Sequence, residues 1–177
     1  MIKIAGICGS LRPNSANHRL LHAAWKQGAP ESELNLIDWS MIKIFDDQSA
    51  PSSDLLEIAA QISISDALLI SSPEYNWSIP GGLKNLLDWL SVLPQNPILN
   101  KPTLIMGASS GRLGTARMQP HLRSVLTHFK ADLVSHPEVA ISNTSEVFDP
   151  SGDLIAPEIE NLLKQAMAEL IKLVPAS

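Results

Sequence analysis

The stretch Gly9-Ser10-Leu11-Arg12-Pro13-Asn14-Ser15-Ala16-Asn17 constrains this chain more than any other. Residues 1–8 before it form an almost continuous apolar run, the pattern of a buried parallel strand. Residues 16–27 after it place Leu20, Leu21 and Ala24 on one helical stripe. A strand therefore ends, a polar loop turns, and a helix begins. A helix start has unpaired N–H groups and the positive end of the peptide dipole, and both favour an anion. The amide of Ala16 lies at that start. Ser10, Ser15 and Asn17 add side-chain donors, and Arg12 adds a charged planar fork suited to phosphate. The loop lacks a Walker lysine and a GxGxxG pattern, which argues against a nucleoside triphosphate or a dinucleotide and for a single phosphate ester. The same residues also suit a chain without a ligand, with Ser15 capping the helix and Arg12 in solvent.

The rest of the chain repeats the alternation. Residues 33–38 read as a more exposed second strand, and residues 54–65 as a helix capped by Ser52 or Ser53. Residues 39–53 between them are irregular. Residues 66–72 and 103–108 are apolar strands, each followed by a polar loop and a helix. Leu83, Leu86, Leu87 and Leu90 mark the helix after Pro80, and residues 116–130 form the next one. Residues 131–141 hold a fifth strand broken near Pro137, and residues 155–174 a last helix. The pattern predicts an α/β, three-layer architecture: a five-stranded parallel sheet with helices on both faces, residues 1–177 forming one domain. In the strand order 2-1-3-4-5 the polar loops follow three adjacent strands, so they meet in one cleft beyond the carboxyl ends.

The net charge of −5 provides no basic field for nucleic acid or a membrane surface, and neither is expected as a partner. The single cysteine, Cys8, excludes an intramolecular disulfide. With no signal-like segment and no run long enough to span a bilayer, a cytoplasmic location is expected. His18 and His22 lie four apart on a helix, but no third ligand matches them, and no metal is expected. No nucleophile with its base is evident either. The loops offer donors without proton chemistry, which suits a bound cofactor that supplies the reactivity itself, so no side chain is assigned as catalytic. Flavin mononucleotide answers these requirements. Its phosphate would sit on the first loop, and its ring would need flat walls and amide donors. Tyr75, the only tyrosine, lies in the second loop beside Trp77, and the amides of Glu74, Tyr75 and Asn76 could serve the pyrimidine edge. Ordinary rim packing is the alternative for both aromatics, and turn formation for Gly111 and Gly114.

Gly9-Ser10-Leu11-Arg12 with Ser15 and Asn17 resembles the first motif of the NADPH-dependent FMN reductase family, which includes bacterial quinone and chromate reductases and azoreductase-like enzymes. Ser72-Pro73-Glu74-Tyr75-Asn76, Ser78-Ile79-Pro80-Gly81-Gly82-Leu83-Lys84-Asn85 and Asp88-Trp89-Leu90-Ser91 resemble its second motif. Gly114, Arg117, Gln119 and His121-Leu122-Arg123 resemble its third region. The resemblance implies a flavodoxin-like fold with phosphate held by Ser10, Arg12, Ser15, Ala16 and Asn17. The isoalloxazine would be held by Pro73, Glu74, Tyr75 and Asn76, with Ser109, Ser110 and Gly111 closing the third side. Trp77, where relatives often carry another residue, and Arg112 would face the substrate. The implied activity passes a hydride from NADPH or NADH through FMN to a quinone, free flavin, azo compound or metal oxyanion by ping-pong kinetics, in a homodimer or homotetramer. A flavodoxin-type electron carrier and an oligomeric flavin-redox sensor are the alternatives.

Overall fold

The computed structural model describes residues 1–175. Strands and helices alternate as β1 (Lys3–Cys8), α1 (Ala16–Gly28), β2 (Glu33–Leu36), α2 (Ser53–Ser63), β3 (Ala67–Ser71), α3 (Gly81–Ser91), β4 (Pro102–Ala108) and α4 (Met118–His128). The chain continues through β5 (Asp132–Leu133), β6 (Val139–Ile141), α5 (Thr144–Val147) and α6 (Pro157–Leu173). Every pairing is parallel, in the order β2-β1-β3-β4-β5, with β6 also on β4. This is the expected sheet.

Successive strand residues point to opposite faces, and here both faces are apolar. Ile4, Leu69 and Met106 pack with Leu20 and Leu21 of α1 and Leu163, Met167 and Leu170 of α6. Ile7, Leu68, Ile70 and Ile105 face the other way, onto Leu55 of α2, Leu83 and Leu86 of α3, and Leu122 and Leu126 of α4. Ser15 caps α1 by accepting from the Asn17 amide, and Ser52 caps α2 by accepting from the Leu55 amide.

The fifth strand is broken, as expected, into two pieces. Asp132–Leu133 pairs with Pro102 and Thr103, and Val139–Ile141 rejoins the same strand at Met106–Ala108. After Val134, whose amide still donates to the Thr103 carbonyl, residues 135–138 leave the ladder, where Pro137, joined to His136 by a cis bond, has no N–H to donate. The helix expected from residue 116 starts at Met118, because residues 111–117 form turns first. The irregular stretch 39–53 is anchored rather than loose. The Trp39 indole donates to the Cys8 carbonyl at 2.9 Å, and Trp89 and Asn85 both donate to the Lys43 carbonyl. The short α5 was not foreshadowed by any periodicity. Ser151-Gly152-Asp153 is the tip of a loop closed by the Phe148–Leu154 bridge. Among the described residues, no helix is long and apolar enough to cross a membrane.

Two glycines let the sheet end pack tightly. A methyl group on Gly9 would overlap the Ser72 side chain, and one on Gly107 would overlap Thr115 Oγ1 and the Ser72 carbonyl oxygen. Gly107→Ala is therefore expected to destabilise the protein by about 2–3 kcal/mol, since backbone cannot yield as a side-chain end does. A urea midpoint equal to that of the unsubstituted protein would contradict the packing.

Candidate functional site

The loops after β1, β3 and β4 meet at the carboxyl end of the sheet, where parallel α/β topology directs several helix N-termini at once. In the first loop Ser10 and Ser15 are buried while Leu11, Arg12, Pro13 and Asn14 are exposed. Ser15 accepts from the Asn17 amide at 3.2 Å, and Ser10 accepts from the Arg12 amide at 3.3 Å. Among the described residues, the Ser10 hydroxyl and the amides of Leu11, Asn14 and Ala16 donate to no protein acceptor. With the exposed Arg12 guanidinium, they form a donor set without acceptors, at the positive end of α1. That chemistry fits a phosphate.

Asn17, grouped with these residues in the sequence, faces the other way. Its Nδ2 donates to the Ala108 carbonyl at 2.9 Å, and its Oδ1 accepts from the Ala108 amide and the Ser71 hydroxyl, each at 2.9 Å. The side chain is 2% exposed. It ties α1 to the ends of β3 and β4 and so holds the first loop in register instead of projecting from it.

The second loop turns back on itself. Tyr75 and Ser78 exchange both backbone hydrogen bonds at 3.0 Å, and Asn76 and Trp77 between them have φ of 49° and 67°. Two left-handed central residues make a type I′ turn, natural for Asn but not for Trp. Such strain persists only where the surroundings enforce it. Among the described residues, the Asn76 and Trp77 amides donate to no protein acceptor. Tyr75 is 40% and Trp77 67% exposed, so the turn stands open to solvent.

Four contacts bind this turn to α4 and its N-cap residue. Glu74 Oε2 accepts from the Arg117 amide at 2.9 Å and the Met118 amide at 3.0 Å. The Arg117 guanidinium lies 4.5 Å from the centre of the Trp77 ring. Ser78 Oγ and His121 Nδ1 are 2.9 Å apart. The sequence offered Arg117 and His121 only as parts of a motif, without a role. Their pairing with residues 74–78 spans a whole βα unit, which no local pattern reveals.

In the third loop Ser109 Oγ accepts from the Gly111 amide at 3.1 Å, and Ser110, Gly111 and Arg112 are exposed. Gly114 has a φ of +57° and lies against the Ala140 backbone, where a Cβ would be 2.9 Å from the carbonyl oxygen. Its conformation and closeness both require glycine. Nearby, Gln119 reaches the Val139 carbonyl and Thr115 Oγ1, fixing the loop to β6.

An open groove of about 940 Å³ lined by His136, Glu138 and Glu169 includes none of these loop residues. A smaller one of about 130 Å³ lies behind the first loop, between Cys8, Ser10, His18, Asp38 and Trp39. Burial, and then the neighbouring His22, push His18 below the usual imidazole range. Among the described residues, no cluster of three potential ligands surrounds a metal position.

Comparison with known proteins matches residues 2–146 to the family described as NADPH-dependent FMN reductase. The chain is 38% identical over 174 residues to an NAD(P)H-dependent FMN reductase of Pseudomonas aeruginosa, covering 96% of this chain and 93% of that protein. It is 35% identical over 161 residues to a quinone reductase of Escherichia coli K12, covering 87% and 85%. The solved structure of FerB, a flavoenzyme NAD(P)H:(acceptor) oxidoreductase from Paracoccus denitrificans, superposes with a TM-score of 0.89 at 29% identity. It covers 98% of this chain and 97% of that one. A short-chain flavodoxin shares the fold at a TM-score of 0.64 and 12% identity, with 99% and 100% covered.

Two measurements check the site as built. Asn17→Ala leaves the Ala108 amide and carbonyl and the Ser71 hydroxyl without their partner. It is expected to lower stability by about 2–4 kcal/mol, in protein without any ligand, read from urea denaturation. Burial raises the Cys8 thiol above its ordinary range, outweighing the hydrogen bonds from Ser10 and Ser15 that lower it. The neutral thiol thus dominates at pH 7, and labelling by a thiol reagent should be slow when folded, faster with rising pH, and fast on unfolding.

Proposed function

This chain belongs to the NADPH-dependent FMN reductase family, and from that premise we propose how its three loops carry out the reaction. The protein is an NAD(P)H-dependent oxidoreductase that uses FMN and reduces a quinone or flavin acceptor. The observation that carries the loop assignment is the row of donors without protein acceptors at the start of α1, beside the exposed Arg12.

Ser10, Arg12, Ser15 and the Ala16 amide hold the phosphate. Asn17 holds the loop for them. Pro73, Glu74, Tyr75 and Asn76 line the ring, and Ser109, Ser110 and Gly111 form the far wall. The Glu74 and Asn76 amides serve the pyrimidine edge of the ring, while the Tyr75 amide, also expected there, is taken up by the Ser78 carbonyl. FMN, when bound there, supplies the two-electron chemistry between NAD(P)H and the acceptor. The chain positions donor and acceptor in turn in one open cleft, beside Trp77 and Arg112, and an arrangement with one shared place supports ping-pong kinetics. No side chain acts as a general acid or base in this reading. The acceptors extend to azo compounds and metal oxyanions, and the working unit is a cytoplasmic homodimer or homotetramer; the family resemblance supports these details.

Protein mixed with FMN and desalted is expected to retain absorbance near ~450 nm that bleaches when NADPH is added without oxygen. Retained flavin that neither NADPH nor NADH bleaches would favour an electron carrier, and no retained flavin would overturn the assignment. Arg12→Ala is expected to weaken FMN binding about 10- to 100-fold, the scale of a charge-assisted phosphate contact. Unchanged affinity would remove the first loop from the site.

A further inference from the structure

Glu74 stands between Pro73 and Tyr75, in the segment assigned to the flavin ring, yet its carboxylate is engaged by another helix. Oε2 accepts from the amides of Arg117 and Met118, at the start of α4. A helix leaves its first N–H groups without partners and is positive there, so a carboxylate is well placed. The residue at the N-cap position of α4, Arg117, provides no side-chain cap of its own. The cap arrives instead from a different βα loop, 43 and 44 positions earlier in the chain.

That origin matters. A local cap would steady the helix alone, whereas Glu74 fastens the helix to the turn that carries the Asn76 and Trp77 amides. The turn needs fastening, because Asn76 and Trp77 are both left-handed and Trp77 disfavours that conformation. The Arg117 side chain then returns to the Trp77 ring, and His121, one helical turn on, meets Ser78. The negative charge of Glu74 is balanced by the positive end of α4, so it adds little repulsion beside a cofactor that gains electrons.

We infer that Glu74 is a positioning residue: by capping α4 from the opposite loop it sets where the Asn76 and Trp77 amides stand, and so governs affinity for the flavin ring rather than for its phosphate. The inference rests on the FMN reading above. It separates Glu74 from Arg12, which acts on the phosphate.

The test compares FMN with riboflavin, which has the ring without the phosphate. Binding of both is measured for the unsubstituted protein, Glu74→Ala, Glu74→Gln, Glu74→Asp and Arg12→Ala, with amide hydrogen exchange followed at Arg117 and Met118 without ligand. Glu74→Ala is expected to lose about tenfold in affinity for both ligands alike, the size of a lost helix cap, and to exchange faster at both amides. Glu74→Gln keeps an oxygen that accepts both bonds and should recover most of the affinity and protection. Glu74→Asp is one methylene too short and should resemble Glu74→Ala, which decides the matter should the alanine variant not fold. Arg12→Ala should lose FMN affinity while leaving riboflavin unchanged. Opened amides with riboflavin affinity unchanged, or a loss confined to FMN, would overturn the inference alone. Unsubstituted protein that binds neither flavin would overturn the FMN reading and this inference together.

Discussion

The amide group of Asn17 takes the place of a strand residue at the carboxyl end of the sheet. It exchanges two hydrogen bonds with Ala108 as a neighbouring backbone would, and accepts a third from Ser71. A buried amide is costly unless satisfied, so α1 can start only where these partners stand. The start of α1 fixes in turn which amides of the first loop are left without acceptors. The polar character of the cleft thus depends on a contact that points away from it.

The other loops are drawn into the same assembly. Gly9 and Gly107 bring the first and third loops against Ser72, and Glu74 carries the second loop onto α4. Parallel topology delivers helix N-termini to one end of the sheet, but it does not make them a site. The site arises because the loops are joined to one another by hydrogen bonds and by backbone approaches that leave no room for a Cβ. Each loop is exposed, yet none is independent.

Much of this could be read from residue order. The apolar runs at residues 1–8, 66–72 and 103–108 have no polar face, and only a sheet covered on both sides accommodates that. Leu20, Leu21, Leu83 and Leu86 mark their helices by period alone, and Ser15 and Ser52 mark two of the starts. The split of the fifth strand was signalled by Pro137, though not how far the chain departs before Val139. What escaped was contact between distant loops. Asn17 in a polar loop looks like a ligand because its sequence neighbours are donors, and only the positions of Ala108 and Ser71 reveal its true partners. Glu74 beside Tyr75 looks like part of the ring wall for the same reason. Short-range pattern identifies which loops matter, and packing decides which way each side chain turns.

Trp77 carries an implication for variation at the mouth of the cleft. Its left-handed backbone would burden any side chain placed there, least for glycine or asparagine and most for β-branched residues. The ring itself is two-thirds in solvent and borrows no core contact to offset that burden. Natural drift at this position is therefore filtered first by backbone tolerance and only afterwards by what the side chain offers an arriving molecule. The repertoire open to it is narrow in shape but wide in chemistry. Position 77 is a place where the rim of the cleft can be rewritten while the sheet beneath keeps no memory of the change.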